Sequence, residues 1–210
     1  MELSDLADPI RHRLDEKYAA RERALPAARR SIRASANAIR AIHRLDFYAA
    51  AELIAESRGA LDEGLGAVEG HADIRHAGYL QDAQKEYAEA NLTLAIVRDD
   101  DLPSPTDLGV EDAPYLNGIS EAIGEGRRRV LDLLRQGSVA HAERLLDVME
   151  ELYGVLVTMD YPDAMTMNLR RSTDVARSLL EKTRGDLSVS AVQQDLREAL
   201  DRHSERIAKE

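Results

Sequence analysis

Apolar residues recur at intervals of three and four along nearly the whole chain, which is the spacing of one face of an α-helix. The alternation of β-branched and aromatic residues that marks strands is absent. Two apolar stripes, best interpreted as intramolecular core, are Tyr115, Ile119, Ile123, Val130 and Leu134, and then Leu145, Met149, Leu152 and Leu156. The pattern predicts an all-α protein with helices at about 6–44, 46–68, 71–98, 113–136, 138–158, 163–184 and 188–207.

Several residues predict where these helices begin, end or bend. Asp46 has the position and chemistry of an N-cap, and residues 99–114, dense in Pro, Gly and Asp, form the clearest loop. Pro26 lacks an amide donor and is expected to kink or split the first helix. Asp186 and Ser188 are expected to mark the last turn between helices. Short connections between long helices favour a seven-helix antiparallel bundle.

Composition limits the classes of protein that the chain can belong to. Its 210 residues are enough for one sizeable core, so a single domain over residues 1–210 is expected. No cysteine is present, which excludes disulfides and thiolate metal sites. No apolar run approaches the roughly 20 residues of a membrane span. Since the first residues also lack the apolar stretch of a signal peptide, a cytoplasmic location is expected.

The charge is strongly acidic overall and unevenly distributed. A net charge of −11 argues against a generic binder of polyanions. Only four of the 28 basic residues are lysine, and this acid-rich, lysine-poor usage resembles that of proteins from salt-loving organisms. The stretch from Arg11 to Arg44 is the exception, because it contains ten basic residues and only three acidic ones. Such asymmetry predicts a basic face in an otherwise acidic body.

Two pairs of acidic residues have helical spacing. Glu86 and Glu89 are three residues apart, and Glu121 and Glu125 are four apart, so each pair lies on one helix face. If the two helices are neighbours, four carboxylates converge, which is costly without a cation or a shared proton. Hard cations such as Mg²⁺ or Mn²⁺ prefer oxygen ligands. From the residues alone, a metal site and an ordinary acidic surface both remain open.

Four segments occur in the order and spacing of one protein family and span nearly the whole chain. They are SANAIRAIHRLDFYAAAELIAESRGAL, QKEYAEANL, DAPYLNGISEAIGEGRRRVLDLL and MNLRRSTDVARSLLEKTRGDLS. Together they resemble translin and its partner, translin-associated factor X. The resemblance implies a bundle of the translin type and binding of single-stranded RNA or DNA. It also implies self-association into a homo-oligomer that forms a closed, octamer-like shell. For the factor X branch it also implies an endoribonuclease activity that depends on Mg²⁺.

The resemblance also implies which residues form the nuclease site. Its four acidic positions match Glu86, Glu89, Glu121 and Glu125, which are thereby the expected catalytic and metal-binding residues, with Mg²⁺ or Mn²⁺ as the cofactor. Glu89 and Glu125 are expected to be direct ligands, whereas Glu86 and Glu121 are either ligands or the base that deprotonates water. The chain departs from the pattern at Glu121, where the family commonly has aspartate, and at Gly126, which loosens a helix interior.

The basic first helix is the candidate surface for nucleic acid. Arg33, Arg40, His43 and Arg44 have offsets consistent with one helix face, and arginine suits bidentate contact with phosphate. The alternative, that these residues pair with acidic groups of the protein itself, remains open. Tyr48, Tyr79 and Tyr87 are candidate stacking platforms for bases. Two other functions also remain open: a non-catalytic oligomer of the same fold that binds single strands, and a helical scaffold protein.

Overall fold

Helices make up all the regular secondary structure of the computed structural model, which describes residues 3–208. In chain order they are α1 (Leu3–His43), α2 (Phe47–Ala67), α3 (Ala72–Arg75), α4 (Gly78–Arg98), α5 (Pro105–Leu108), α6 (Asp112–Arg135), α7 (Val139–Val157), α8 (Asp163–Thr166) and α9 (Leu169–Ile207). Helices α3, α5 and α8 are single turns of four residues. The predicted all-α class is confirmed. Within the described range, no helix has an apolar stretch long enough to cross a membrane.

The predicted start of the second helix is confirmed, whereas the predicted effect of Pro26 is only partly tested. The Asp46 carboxylate accepts a hydrogen bond from the Ala49 amide at 3.1 Å, as an N-cap does. Pro26 does not split α1, which continues without interruption to His43. The proline is exposed, so the backbone carbonyl that loses its partner lies on the side where water can bind it.

The predicted break at Asp186 and Ser188 is wrong, because both residues lie inside the continuous helix α9. The Ser188 hydroxyl donates to the Arg184 carbonyl at 2.8 Å, a bond within the helix. The Asp186 carboxylate pairs with Arg127 of α6 at 2.8 Å. Side chains that resembled helix caps in the sequence are therefore used within the helix and in tertiary contacts. The break comes earlier, at Met167 and Asn168, which adopt left-handed backbone angles of φ 55° and 63°.

The chain packs as two compact units, Met1–Leu94 with Pro103–Gly118, and Ala95–Leu102 with Ile119–Glu210. In the first unit, α1 packs on α2 through small residues that recur on one face of α1, including Ala24 and Ala28. Ser57 of α2 donates to the Ser31 carbonyl at 3.1 Å, and its Oγ lies 2.9 Å from Ser31 Oγ and 2.8 Å from Ser35 Oγ. These hydrogen bonds satisfy three buried hydroxyls and allow the two helices to lie close together.

The second unit contains α7 packed against α9. The predicted apolar stripe on α7 is buried, as expected for core, and comprises Leu145, Met149, Leu152 and Leu156. At the edge of this contact, Arg184 Nε donates to a carboxylate oxygen of Glu150 at 2.7 Å. The unit boundary falls inside α4 and α6, so each of these two helices contributes a segment to both units.

Candidate functional site

Helices α4 and α6 make a very close contact at Gly118. A methyl group added to Gly118 would lie 3.0 Å from Ala88 Cβ, 3.1 Å from the Lys85 carbonyl oxygen and 3.2 Å from the Glu89 amide nitrogen. Separations of this size are shorter than ordinary van der Waals contacts. The glycine therefore allows the backbone of α6 to approach the backbone of α4, and it fixes the crossing point beside Glu89.

Three of the four predicted glutamates converge next to this crossing. Glu86, Glu89 and Glu121 each offer one carboxylate oxygen, and the three oxygens lie within 4.8 Å of one another. Glu86 and Glu89 are three residues apart on α4, and Glu121 lies three residues after Gly118 on α6. Glu89 is only 6 % exposed, Glu86 is half-buried and Glu121 is exposed. The group therefore extends from the packed interior of the helix crossing to the solvent.

Glu125, the fourth predicted residue, lies outside this group of three. It is half-buried and one turn further along α6 than Glu121. Arg127, two residues later on α6, pairs with Asp186 at 2.8 Å, and its Nη1 donates to Thr183 Oγ1 at 3.0 Å.

Lys85 is a charged neighbour of the glutamates that was not predicted from the sequence. Its Nζ lies 3.4 Å from Glu86 Oε1, and its side chain is only 20 % exposed. Lys85 precedes Glu89 by four residues, so the two side chains share a face of α4. A rare lysine at this offset from an acid of the motif was the signal available in the sequence, since the chain has only four lysines.

The donor set fits a hard divalent cation. Two ligand oxygens on opposite sides of an ion stand about 4.1 Å apart for Mg²⁺ and about 4.8 Å for Ca²⁺. The three carboxylate oxygens lie within 4.8 Å of one another, which is close enough for one ion to contact all three. Three carboxylates and one ammonium group also leave a formal excess of two negative charges among these named groups. The chemistry of the donors and their charge therefore suit Mg²⁺ or Mn²⁺.

The basic residues of α1 divide into two groups. Those in its first thirty residues include four in ion pairs, which are Arg11 with Asp8, Lys17 with Asp73, Arg21 with Glu22 and Arg30 with Glu63. Part of the positive charge in this stretch is therefore paired within the protein.

The predicted nucleic-acid residues occupy the other end of α1. Arg33, Arg40 and Arg44 are exposed, whereas His43 is half-buried. Arg40 donates to the Asn37 side-chain oxygen at 2.7 Å. Among the described residues, neither Arg33 nor Arg44 has an acidic partner, so their guanidinium groups remain available to solvent or to phosphate.

Of the three candidate stacking residues, only Tyr48 presents an accessible ring. It is 77 % exposed and lies four residues after Arg44. Tyr87 is buried in the core of the first unit, where the Arg58 guanidinium lies 5.8 Å from the centre of the tyrosine ring. The prediction that Tyr87 is a stacking platform is therefore wrong. Tyr79 packs against the same core, and burial raises the pKa of its phenol. Its ring is therefore also committed to packing.

Comparison with known proteins gives matches over most of the chain. No protein-family model matches. The chain is 33 % identical over 191 residues to the uncharacterized protein MJ0175 of Methanocaldococcus jannaschii, covering 90 % of this chain and 84 % of that protein. A structure of AfC3PO in complex with duplex RNA superposes with a TM-score of 0.83 at 31 % identity, covering 89 % of this chain and 97 % of that one. AfC3PO alone gives a TM-score of 0.82 at 31 % identity, with the same coverage. Apo-NeC3PO, at 20 % identity and a TM-score of 0.78, covers 90 % of this chain and 99 % of its own, and shows the fold alone.

Proposed function

Because the chain belongs to the translin/C3PO family, we propose that it binds single-stranded RNA and cleaves it in a reaction that depends on Mg²⁺ or Mn²⁺. The observation that carries the proposal is the convergence of one oxygen from each of Glu86, Glu89 and Glu121 within 4.8 Å. Carboxylates repel one another at such distances, so a fold that holds them together favours a cation as their partner.

The chain's own residues divide the work as follows. Glu86, Glu89 and Glu121 would hold the cation, and Glu125 would bind at the periphery of the same site. A cation held there lowers the pKa of a bound water and offsets charge on the attacked phosphate. Burial restricts the motion of the Glu89 side chain, which suits a ligand. Glu121 would offer one carboxylate oxygen to the cation, and because the residue is exposed, its other oxygen is suited to accept a proton from water as the general base.

The basic end of α1 supplies the affinity for RNA. Arg33, Arg40 and Arg44 offer exposed guanidinium groups that bind phosphate without reading sequence, and His43 lies beside them. Tyr48 adds an exposed ring on which a base can stack. The complex of AfC3PO with duplex RNA supports RNA as the class of ligand. We further propose that the chain acts as a homo-oligomer, which size-exclusion chromatography with light scattering tests directly.

A non-catalytic RNA-binding protein is the second candidate. The AfC3PO complex with duplex RNA favours it, because that complex supports binding of RNA without requiring cleavage. Binding and cleavage must therefore be measured separately. Absence of affinity for single-stranded and duplex RNA at both low and high salt would leave the scaffold interpretation.

The test compares wild type with Glu89→Gln, Glu121→Gln and Glu125→Gln, on end-labelled single-stranded RNA and on duplex RNA. The matched control is Glu143→Gln, which changes an exposed glutamate on α7. We expect cleavage of single-stranded RNA by wild type and control in Mg²⁺, abolished by EDTA. Loss of an essential group should lower the rate of Glu89→Gln by a hundredfold or more, on the order of general acid–base and ligand losses. Equal rates for wild type and Glu89→Gln contradict the carboxylate mechanism, and RNA binding without any cleavage selects the second candidate.

A further inference from the structure

Lys85 lies against the glutamate group under conditions unusual for lysine. Lysine ordinarily keeps its ammonium group in water, yet this side chain is only 20 % exposed. Its Nζ is 3.4 Å from Glu86 Oε1, and its main chain lies at the helix crossing, where its carbonyl oxygen would be 3.1 Å from a methyl group on Gly118. The turn of α4 that carries Lys85 is therefore held firmly beside Glu86 and Glu89.

A covered ammonium group in this position has two opposite electrostatic effects. It offsets the repulsion between Glu86 and Glu89 when no other cation is present, and so favours the folded state. It also opposes the entry of a divalent cation, because it lowers the negative potential at the carboxylates. A long, flexible lysine side chain can turn away from the carboxylates when a stronger cation arrives.

We infer that Lys85 is a positioning residue that acts as the resident counter-ion of the glutamate group, holding Glu86 and Glu89 together in the metal-free protein and setting the affinity for the cation that replaces it. This inference rests on the proposed function, since it concerns the same site. Lys85 thereby stabilises the metal-free fold and, for the same reason, raises the cation concentration that is needed to fill the site.

The test measures Mn²⁺ binding to the full chain without RNA, from the electron paramagnetic resonance signal of free Mn²⁺, together with thermal unfolding with and without Mn²⁺. The variants are Lys85→Met, Lys85→Arg and Glu89→Gln. The matched control is Lys17→Met, which removes the lysine of α1 that is paired with Asp73. Lys85→Met should bind Mn²⁺ about tenfold or more tightly than wild type, because a full positive charge has left a partly desolvated site. It should unfold at a lower temperature without Mn²⁺ and recover on addition of Mn²⁺, whereas Lys85→Arg and Lys17→Met should retain the wild-type affinity.

The possible failures are distinguishable. If Lys85→Met and wild type bind Mn²⁺ equally, or Lys85→Met binds it more weakly, the counter-ion role is wrong while the metal site stands. If wild type shows no Mn²⁺ binding that depends on Glu89, the metal site is wrong and the inference is overturned with it. If Lys85→Met does not fold without metal, circular dichroism decides, because folding on addition of Mn²⁺ supports the inference and continued unfolding in saturating Mn²⁺ overturns it.

Discussion

Replacing Gly118 with alanine tests the close approach of α4 and α6 directly. The new methyl group would lie 3.0 Å from Ala88 Cβ and 3.1 Å from the Lys85 carbonyl, and both neighbours belong to a rigid helix rather than to a flexible side-chain end. Overpacking of this kind costs about 1–3 kcal/mol in the free energy of unfolding. Alanine favours the helix over glycine by about 1 kcal/mol, which offsets part of that cost. We expect Gly118→Ala to be destabilised by about 1 kcal/mol.

Gly59→Ala is the matched control for this substitution. Gly59 lies in the interior of α2, and a methyl group added there would meet nothing within 4 Å. It should therefore gain up to about 1 kcal/mol from helix propensity alone. The difference between the two variants isolates the overpacking term, about 1–3 kcal/mol. Urea unfolding followed by circular dichroism, at one protein concentration, measures both values.

The same variants also connect the crossing to the candidate site. Because the added methyl group would press on the Glu89 amide nitrogen at 3.2 Å, Gly118→Ala should shift Glu89 and weaken Mn²⁺ binding, whereas Gly59→Ala should not. A Gly118→Ala protein as stable as Gly59→Ala would show that the two helices do not approach as closely as described. Unchanged Mn²⁺ affinity in a destabilised Gly118→Ala protein would separate the crossing from the metal site.

Three further predictions concern RNA binding and pH. Replacing Arg33, Arg40 and Arg44 simultaneously, each by glutamine, should weaken binding of single-stranded RNA. It should also reduce the slope of log affinity against log salt by about 2, as for three lost phosphate contacts. The control Arg144→Gln on α7 should change neither the affinity nor the slope, and fluorescence anisotropy measures both. Tyr48→Ala should cost about 1–3 kcal/mol of binding through lost stacking, Tyr48→Phe should retain it, and equal losses in both would contradict stacking. The Ser104 hydroxyl and the Ser104 amide both donate hydrogen bonds to the Asp107 carboxylate. These bonds lower the pKa of that carboxyl below its ordinary value of 3.8, and the hydroxyl has the larger effect. The stability that these hydrogen bonds add is complete above pH 3.8 and is lost as the pH falls through the lowered pKa of the folded state. Asp107→Asn should therefore have a lower unfolding temperature than wild type at neutral pH, and the difference between the two unfolding temperatures should vanish in acid. A difference that persists in acid would refute the assignment.

Residues whose roles are local were predictable from the sequence. The N-cap at Asp46 and the buried stripe containing Met149 follow from spacing and side-chain chemistry within one helix. The false break at Asp186 shows the limit of this reasoning. The Asp186 carboxylate has the chemistry of a cap, but it forms an ion pair with Arg127, which lies more than fifty residues earlier in the chain. A partner so distant in sequence leaves no local signal.

Gly126 of α6 makes the same point from the other direction. In the sequence, Gly126 could be judged only by helix propensity, which marked it as a weakness. In the structure a methyl group there would lie 3.1 Å from Met149 Cγ and Sδ, so the residue provides room for α7. The pairing of Lys85 with Glu86 was likewise available only as a spacing, because burial decides whether a lysine beside an acid is a solvated surface pair or a covered counter-ion.

The position of each glutamate relative to Gly118 explains why three of the four converge. Glu89 lies at the crossing itself, since its amide nitrogen is one of the three atoms nearest to a methyl group on Gly118. Glu86 is one turn away on α4, and Glu121 is about 4.5 Å along the axis of α6, within reach of a glutamate side chain. Glu125 is about 10.5 Å along the same axis, more than twice as far from Gly118 as Glu121 is. The loss of Glu125 should therefore weaken cation binding less than the loss of Glu89, and this ordering follows from the crossing point rather than from the acidic spacing.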